Sequence, residues 1–150
     1  MDIRCFSAGD LPAYSSEGAA AFDLRCHEIL SVRQWGKDHE LIEIDTGLIV
    51  EIPRGFGMLI LPRSGLGSKG VVLRNMVPLI DPDFRGTIKL NFLIHERDYT
   101  QFSDNPLNPG NRVAQGVVVA TPRINFIQVP REDLSSTARG TGGFGSTGIS

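Results

Sequence analysis

The densest run of reactive side chains lies between residues 75 and 89, NMVPLIDPDFRGTIK. An apolar approach (Met76, Val77, Leu79, Ile80) leads into two carboxylates one residue apart, Asp81 and Asp83. Pro82 between them fixes φ and removes a backbone donor, which predicts a turn. Phe84, Arg85 and Gly86 follow, and apolar alternation resumes from Thr87. The segment reads as a hairpin whose bend carries carboxylates. By itself it is better explained as an ordinary Asp-Pro-Asp turn, and only the rest of the chain can give it chemistry.

Other reactive residues are scattered. Leu61-Pro62-Arg63-Ser64-Gly65-Leu66 puts a guanidinium and a hydroxyl at the mouth of a glycine-rich turn. Successive backbone N–H groups in such a turn accept phosphate oxygens, and arginine adds a bidentate, charge-assisted hydrogen bond. Gly145-Ser146-Thr147-Gly148 offers a second turn of the same kind, with Arg139 and Phe144 just upstream. Asp23, Asp81 and Asp83 are hard oxygen ligands that suit Mg²⁺, a cation that keeps several waters and rides on substrate phosphates. His27, His39 and His95 lack ligand spacing, and Cys5 and Cys26 form no C-x-x-C pair, so zinc is disfavoured. Gln115 sits inside an apolar run, where its plain role is a satisfied core amide.

Two G-x-G-x-x-G matches, Gly65–Gly70 and Gly143–Gly148, carry little weight. A dinucleotide fingerprint needs a helix directly after the glycines. The first match runs into VVLRNMVP, which is β-like, and the second is followed by two residues.

The bulk numbers narrow the setting. At 150 residues the chain is one domain with a sizeable core. Fifteen basic against 17 acidic side chains leave a net charge of −2, so no general field draws it to nucleic acid or membrane. Two cysteines do not make a disulfide framework. The opening MDIRCFSAGD lacks the features of a signal peptide, and no apolar run approaches a membrane span. The expectation is a soluble, cytoplasmic protein.

Seventeen glycines and nine prolines leave little room for long helices. Short alternating runs predict strands over 2–6, 20–27, 56–61, 87–94, 112–121 and 124–129, plus a hairpin of 41–45 with 48–52 around Thr46-Gly47. In the second run Phe22, Leu24 and Cys26 share one face, and Asp23 and Arg25 the other. In 87–94 the inward set is Ile88, Leu90, Phe92 and Ile94. A loop spans 96–110. The fold class is all-β, a sandwich or barrel. Residues 131–150, REDLSSTARGTGGFGSTGIS, cannot build a packed element. They are either a frayed terminus or a flap that orders over a ligand.

Set in order, these pieces resemble the trimeric dUTP pyrophosphatase (dUTPase) family at five motifs. They are Ala20–Leu24, Pro62–Gly70, Asn75–Gly86, Gly110–Gln115 and Arg139–Gly148. The resemblance implies a distorted jelly-roll-like β-barrel over 1–130, a closing C-terminal arm over 131–150, and a homotrimer with shared active sites. It implies Mg²⁺-dependent hydrolysis of dUTP to dUMP and pyrophosphate, which keeps uracil out of DNA and supplies dUMP for dTMP synthesis.

Carried over, Asp81 orients and deprotonates the attacking water and Arg139 is an arginine finger. Arg63, Ser64, Gly65 and Gln115 hold phosphates, Gln115 through a metal-bound water. Asp23 lies near the metal's water shell or is structural. Asn75, Leu79 and Ile80 belong to a uracil-reading hairpin, Phe84 stacks under the deoxyribose, and Lys89 makes a backbone contact. Phe144 covers the base, and Gly145, Ser146 and Thr147 close on the phosphates. Asp83 is expected to brace its turn. Ala21, Pro78 and Phe84 depart from the usual Gly, Gly and Tyr. A dCTP deaminase shares the fold and the Ile-Asp-Pro run but not this tail. A nucleotide-dependent regulatory role is the alternative of another class.

Overall fold

The computed structural model describes residues 1–95 and 105–143. Among these, antiparallel strands dominate, in three sheets rather than one closed barrel. Strands β1 (Arg4–Ser7) and β6 (Leu48–Glu51) form a pair. A four-stranded sheet has β4 (Glu28–Trp35), β5 (His39–Asp45), β10 (Lys89–His95) and β8 (Val72–Leu73), in the order β4-β5-β10-β8. The third sheet, β2-β3-β11-β7-β9, uses β2 (Ala13–Tyr14), β3 (Phe22–Arg25), β11 (Arg112–Ala120), β7 (Phe56–Pro62) and β9 (Leu79–Ile80). One helical turn, α1 (Ser64–Gly67), follows β7.

A single core joins the sheets. Leu24, Met58, Ile60 and Val113 from the five-stranded sheet meet Ile42, Ile44, Leu90, Phe92 and Ile94 from the four-stranded one, with Leu48 and Val50 from β6. The predicted inward set of 87–94 is fully buried. Each such side chain contributes about 1.5–3 kcal/mol relative to exposure. Gly116 in β11 is required by packing: a Cβ there would lie 2.5 Å from the Phe22 ring, which Tyr14 closes edge-on from the other side.

Three predicted connections differ. The segments 41–45 and 48–52 are not a hairpin: β5 pairs with β4 and β10, whereas β6 pairs with β1. Thr46-Gly47 is a corner between sheets. Gly47 has φ +65°, Asp45 Oδ1 accepts its N–H at 2.7 Å, and Thr46 Oγ1 donates to Ile88 O. Likewise β9 pairs with β7 and not with β10, so Asp81-Pro82-Asp83 crosses between sheets rather than closing a hairpin. Finally, 124–129 is not a strand; the chain leaves the sheet after Ala120, and residues 122–141 are all exposed. This segment pairs with no strand among the described residues. The long β4 escaped sequence reading because a register shift between Ile29 and Ser31 breaks its two-residue period. Of the predicted 96–110 loop, residues 96–104 lie outside the described residues.

Candidate active site

Three of the five motifs meet at the C-terminal end of β7. Strand β11 lies between β3 and β7, so Gln115 stands opposite Asp23 on one side and Leu61 on the other. The Asp23 carboxylate is largely covered and each oxygen holds a guanidinium: Oδ1 is 3.2 Å from Arg63 Nε, and Oδ2 is 3.0 Å from Arg112 Nη1. Arg63 Nη1 also donates to the Arg112 carbonyl at 3.0 Å. One anion thus holds two cations side by side, leaving a net positive, pre-oriented pair of the kind that grips phosphate. The Gln115 Nε2 donates to Pro62 O at 3.1 Å, which leaves its Oε1 as an acceptor.

Arg112 was not singled out from the sequence as a site residue. On strict alternation Arg112 and Gln115 fall on opposite faces. A register shift between Arg112 and Ala114 places Arg112 opposite Arg25, two residues from Asp23 and on its face. Consecutive burial of Val113 and Ala114 is the mark of that bulge. The predicted glycine nest is a helical turn here. Arg63 caps α1, whose Ser64 and Gly65 are exposed and begin the helix, and Gly70 alone in this stretch is left-handed.

The other cluster is at the opposite end of the same strand. Met58 pairs with Ile80 and Leu59 with Leu79, so Asp81 lies level with Gly57. Six residues of strand then separate it from Arg63, about 20 Å at ~3.3 Å per residue. Asp81 is exposed, as is Asn75 in the loop before β9. Phe84 turns its ring over Gly86, where an added Cβ would lie 2.7 Å from the ring. That contact requires glycine after Arg85. The turn's brace is Arg85, not Asp83: its Nη1 donates to Pro82 O at 2.7 Å and to Phe84 O at 2.8 Å. A guanidinium donates to carbonyls, which an ionised carboxylate, an acceptor only, cannot do. Lys89 opens β10 opposite Asp45.

Arg139 belongs to an exposed turn over 137–142, where its Nε donates to Gly142 O at 2.9 Å. Phe144, Gly145, Ser146 and Thr147 lie outside the described residues. Among the described residues no three His, Cys, Asp or Glu side chains gather into a metal site. Asp23 has both carboxylate oxygens engaged by Arg63 and Arg112. Gln115 Oε1 and the exposed Asp81 fit a hydrated Mg²⁺ carried by phosphates better than a protein-held ion. Cys26 is no nucleophile: burial first, then Glu28 and Asp45, push its thiol up to about 11.

The chain is an antiparallel β protein with guanidiniums paired for holding phosphate oxygens at one strand end and an exposed carboxylate at the other. A family model described as dUTPase matches residues 7–148. The deoxyuridine 5′-triphosphate nucleotidohydrolase of Paraburkholderia phytofirmans is 42% identical over 155 aligned positions, covering 99% of this chain and 97% of that protein. The protein of the same description from Caulobacter vibrioides is 40% identical over 141 positions, covering 93% and 86%. A mutant Staphylococcus bacteriophage 80alpha dUTPase solved with dUpNHpp superposes with a TM-score of 0.80 at 25% identity, covering 99% of each chain. The chain belongs to the dUTPase family.

Proposed function

We propose that this protein hydrolyses dUTP to dUMP and pyrophosphate. The observation that carries the reading is the Arg63–Asp23–Arg112 cluster beside Gln115, in a chain whose relatives at about 40% identity are named for this reaction. The attacking water forms its bond to the α-phosphorus and gives a proton to the Asp81 carboxylate. The bond to the bridging oxygen breaks, and pyrophosphate leaves. An ordinary aspartate is a weak base, so Asp81 acts largely by positioning. Arg63 and the exposed start of α1 hold the phosphates. Bound Mg²⁺ would neutralise phosphate charge and orient the chain of oxygens, with Gln115 Oε1 holding one of its waters. Arg139 meets developing phosphoryl charge, as arginine fingers do.

Uracil is read by the backbone around Asn75, Leu79 and Ile80. Cytosine reverses the donor and acceptor at two edge positions, leaving buried groups unpaired, which is worth up to about 10⁴–10⁵ in discrimination. Phe84 stacks under the sugar, where a 2′-hydroxyl has no room. Phe144 to Thr147 complete the cover as part of the 131–150 arm. The physiological result is removal of dUTP before it enters DNA and a supply of dUMP.

The active unit is a homotrimer whose sites are shared. Support comes from the ~20 Å between Asp81 and Arg63 along β7, too far for one triphosphate site in a single chain. It comes also from the exposed Ile124, Phe126 and Ile127, at 73%, 90% and 78% exposure. Such a row needs a second copy to cover it. No described helix is long and apolar enough to cross a membrane. The place of action that goes with the proposed reaction is the cytoplasm.

A panel of dUTP, dCTP, dTTP and UTP with Mg²⁺, following pyrophosphate and ammonia, tests the reading. Turnover of dUTP alone to pyrophosphate is expected. Ammonia from dCTP would replace it with a deaminase, and binding without turnover with a regulatory protein.

A further inference from the structure

The loop that carries Asn75 has an unusual mechanical problem. A true hairpin holds its tip through the hydrogen-bonded ladder of its own two strands. Here the flanking strands belong to different sheets, β8 to the one with β10 and β9 to the one with β7. Nothing pairs one side of the loop with the other. Its shape is nonetheless committed, for Met76 has φ +58°, the one left-handed non-glycine among the described residues. Such a backbone costs roughly 1–2 kcal/mol and persists where surrounding contacts over-determine it.

Those contacts can be named. The Met76 N–H donates to Leu73 O at 3.0 Å, the Arg74 N–H to Asn91 O at 2.8 Å, and Ile60 N–H to Pro78 O at 2.9 Å. These are all backbone. The side-chain contact is Arg74, whose guanidinium carbon lies 4.3 Å from the centroid of the Trp35 ring. Trp35 is the last residue of β4, at the far edge of the four-stranded sheet. The stack therefore ties the start of the loop across β5 and β10 to an edge strand that no motif includes.

We propose that Trp35 and Arg74 form a positioning clamp for the base-reading loop. Neither touches substrate. Together they keep Met76 in its left-handed conformation, and Asn75 beside it, before the nucleotide arrives, so that less ordering is charged against binding. The clamp rests on the assignment of uracil to this loop, and it predicts an effect on dUTP affinity rather than on the chemical step.

The experiment compares R74A, W35A, W35F and the R74A/W35A double variant with wild type, after wild-type turnover of dUTP has been established. Absence of that turnover would remove the proposed function itself, a separate failure. With turnover in hand, R74A and W35A are expected to raise KM for dUTP about two- to fivefold, the size of one exposed cation–π contact, with kcat within about twofold. The double variant is expected to be no worse than either single one, and W35F, which keeps a ring, to recover most of the loss. Trp35 is the only tryptophan, so its emission also reads the contact directly and should change in R74A without nucleotide. Unchanged KM in both single variants, additive losses in the double one, a fall in kcat at constant KM, or identical emission would each overturn the clamp.

Discussion

The two ends of strand β7 are finished in opposite ways. At its C-terminal end Asp23 holds Arg63 and Arg112, and Gln115 is tied to Pro62, so charges are paired and directions set within one chain. At its N-terminal end Asp81 stands exposed, and Phe84 packs its ring over Gly86 while its backbone bonds to Asp81 O and Arg85. The closed end can grip an anion by itself. The open end has the carboxylate that an attacking water needs, and the cavity beside it carries Arg4, Arg54, Arg85 and Arg123 together with the acids Asp2, Glu51 and Asp83. A strand that separates the two halves by ~20 Å makes each useless to the other within one chain. In the proposed homotrimer both would become useful, the open end of one copy meeting the closed end of the next.

The largest break in this comparison comes from the arm, which belongs to neither end. Deleting residues 139–150 removes the proposed finger and is expected to lower kcat by roughly 10³–10⁵, the range known for such arginines. The melting temperature should hardly move, because the turn at Arg139 contributes nothing to the core. A truncated protein with full activity would return the tail to an idle terminus.

Next in size is the open end alone. Asp81→Asn is expected to slow turnover by roughly 10²–10⁴ while dUTP still binds, as measured by calorimetry with a slow-turnover complex. The sharper test mixes inactive trimers. D81N and R63A chains, unfolded together and refolded, should regain about a quarter of wild-type activity, the share of intact junctions that statistical mixing creates in a cyclic trimer. No recovery on mixing would place both residues in one chain's site and abolish the distinction between the ends.

How much of this was visible in the sequence depended on whether the period of two survived. The run 87–94 kept it, and Ile88, Leu90, Phe92 and Ile94 are inward as the alternation says. So did β3, whose Asp23 face carries both ion pairs. Arg112 was hidden because a bulge turns it to the other face, and β4 because another shift scrambles its pattern. Partner choice was less legible still. Thr46-Gly47 has the chemistry of a hairpin turn, but a corner between sheets makes the same demands on the backbone. The apolar residues of 124–129 are exposed and pair with no strand among the described residues, although their composition suits a strand.

The closed end should show its dependence on one carboxylate. In Asp23→Ala the two guanidiniums lose their shared anion and face each other. Removing charge-assisted bonds of this kind costs about 2–3 kcal/mol. A lower melting temperature and a higher KM are expected together, and Asp23→Asn should recover part of the first and little of the second. If D23A kept its stability and lost only metal dependence, Asp23 would be a partner of the metal's water shell instead of a brace.

The smallest effect separates the ends by pH. Cys26 directly follows β3, and its N–H donates to Asn111 O at the approach to β11, so it sits beneath the closed end. Its thiol is raised from 9.0 to about 11, chiefly by burial. The unfolded chain therefore releases this proton first, and the folded state binds more protons between those values. Stability from this group is complete below pH 9 and falls as pH rises toward 11. At pH 10.5 the loss is about 2 kcal/mol relative to pH 8. Comparing denaturant midpoints of wild type and Cys26→Ala at both pH values isolates it, since lysines and tyrosines titrate alike in the two proteins. The wild-type curve should fall more steeply. Parallel curves would mean that water reaches the thiol, and with it the seam between β3 and β11 that holds Asp23 in place.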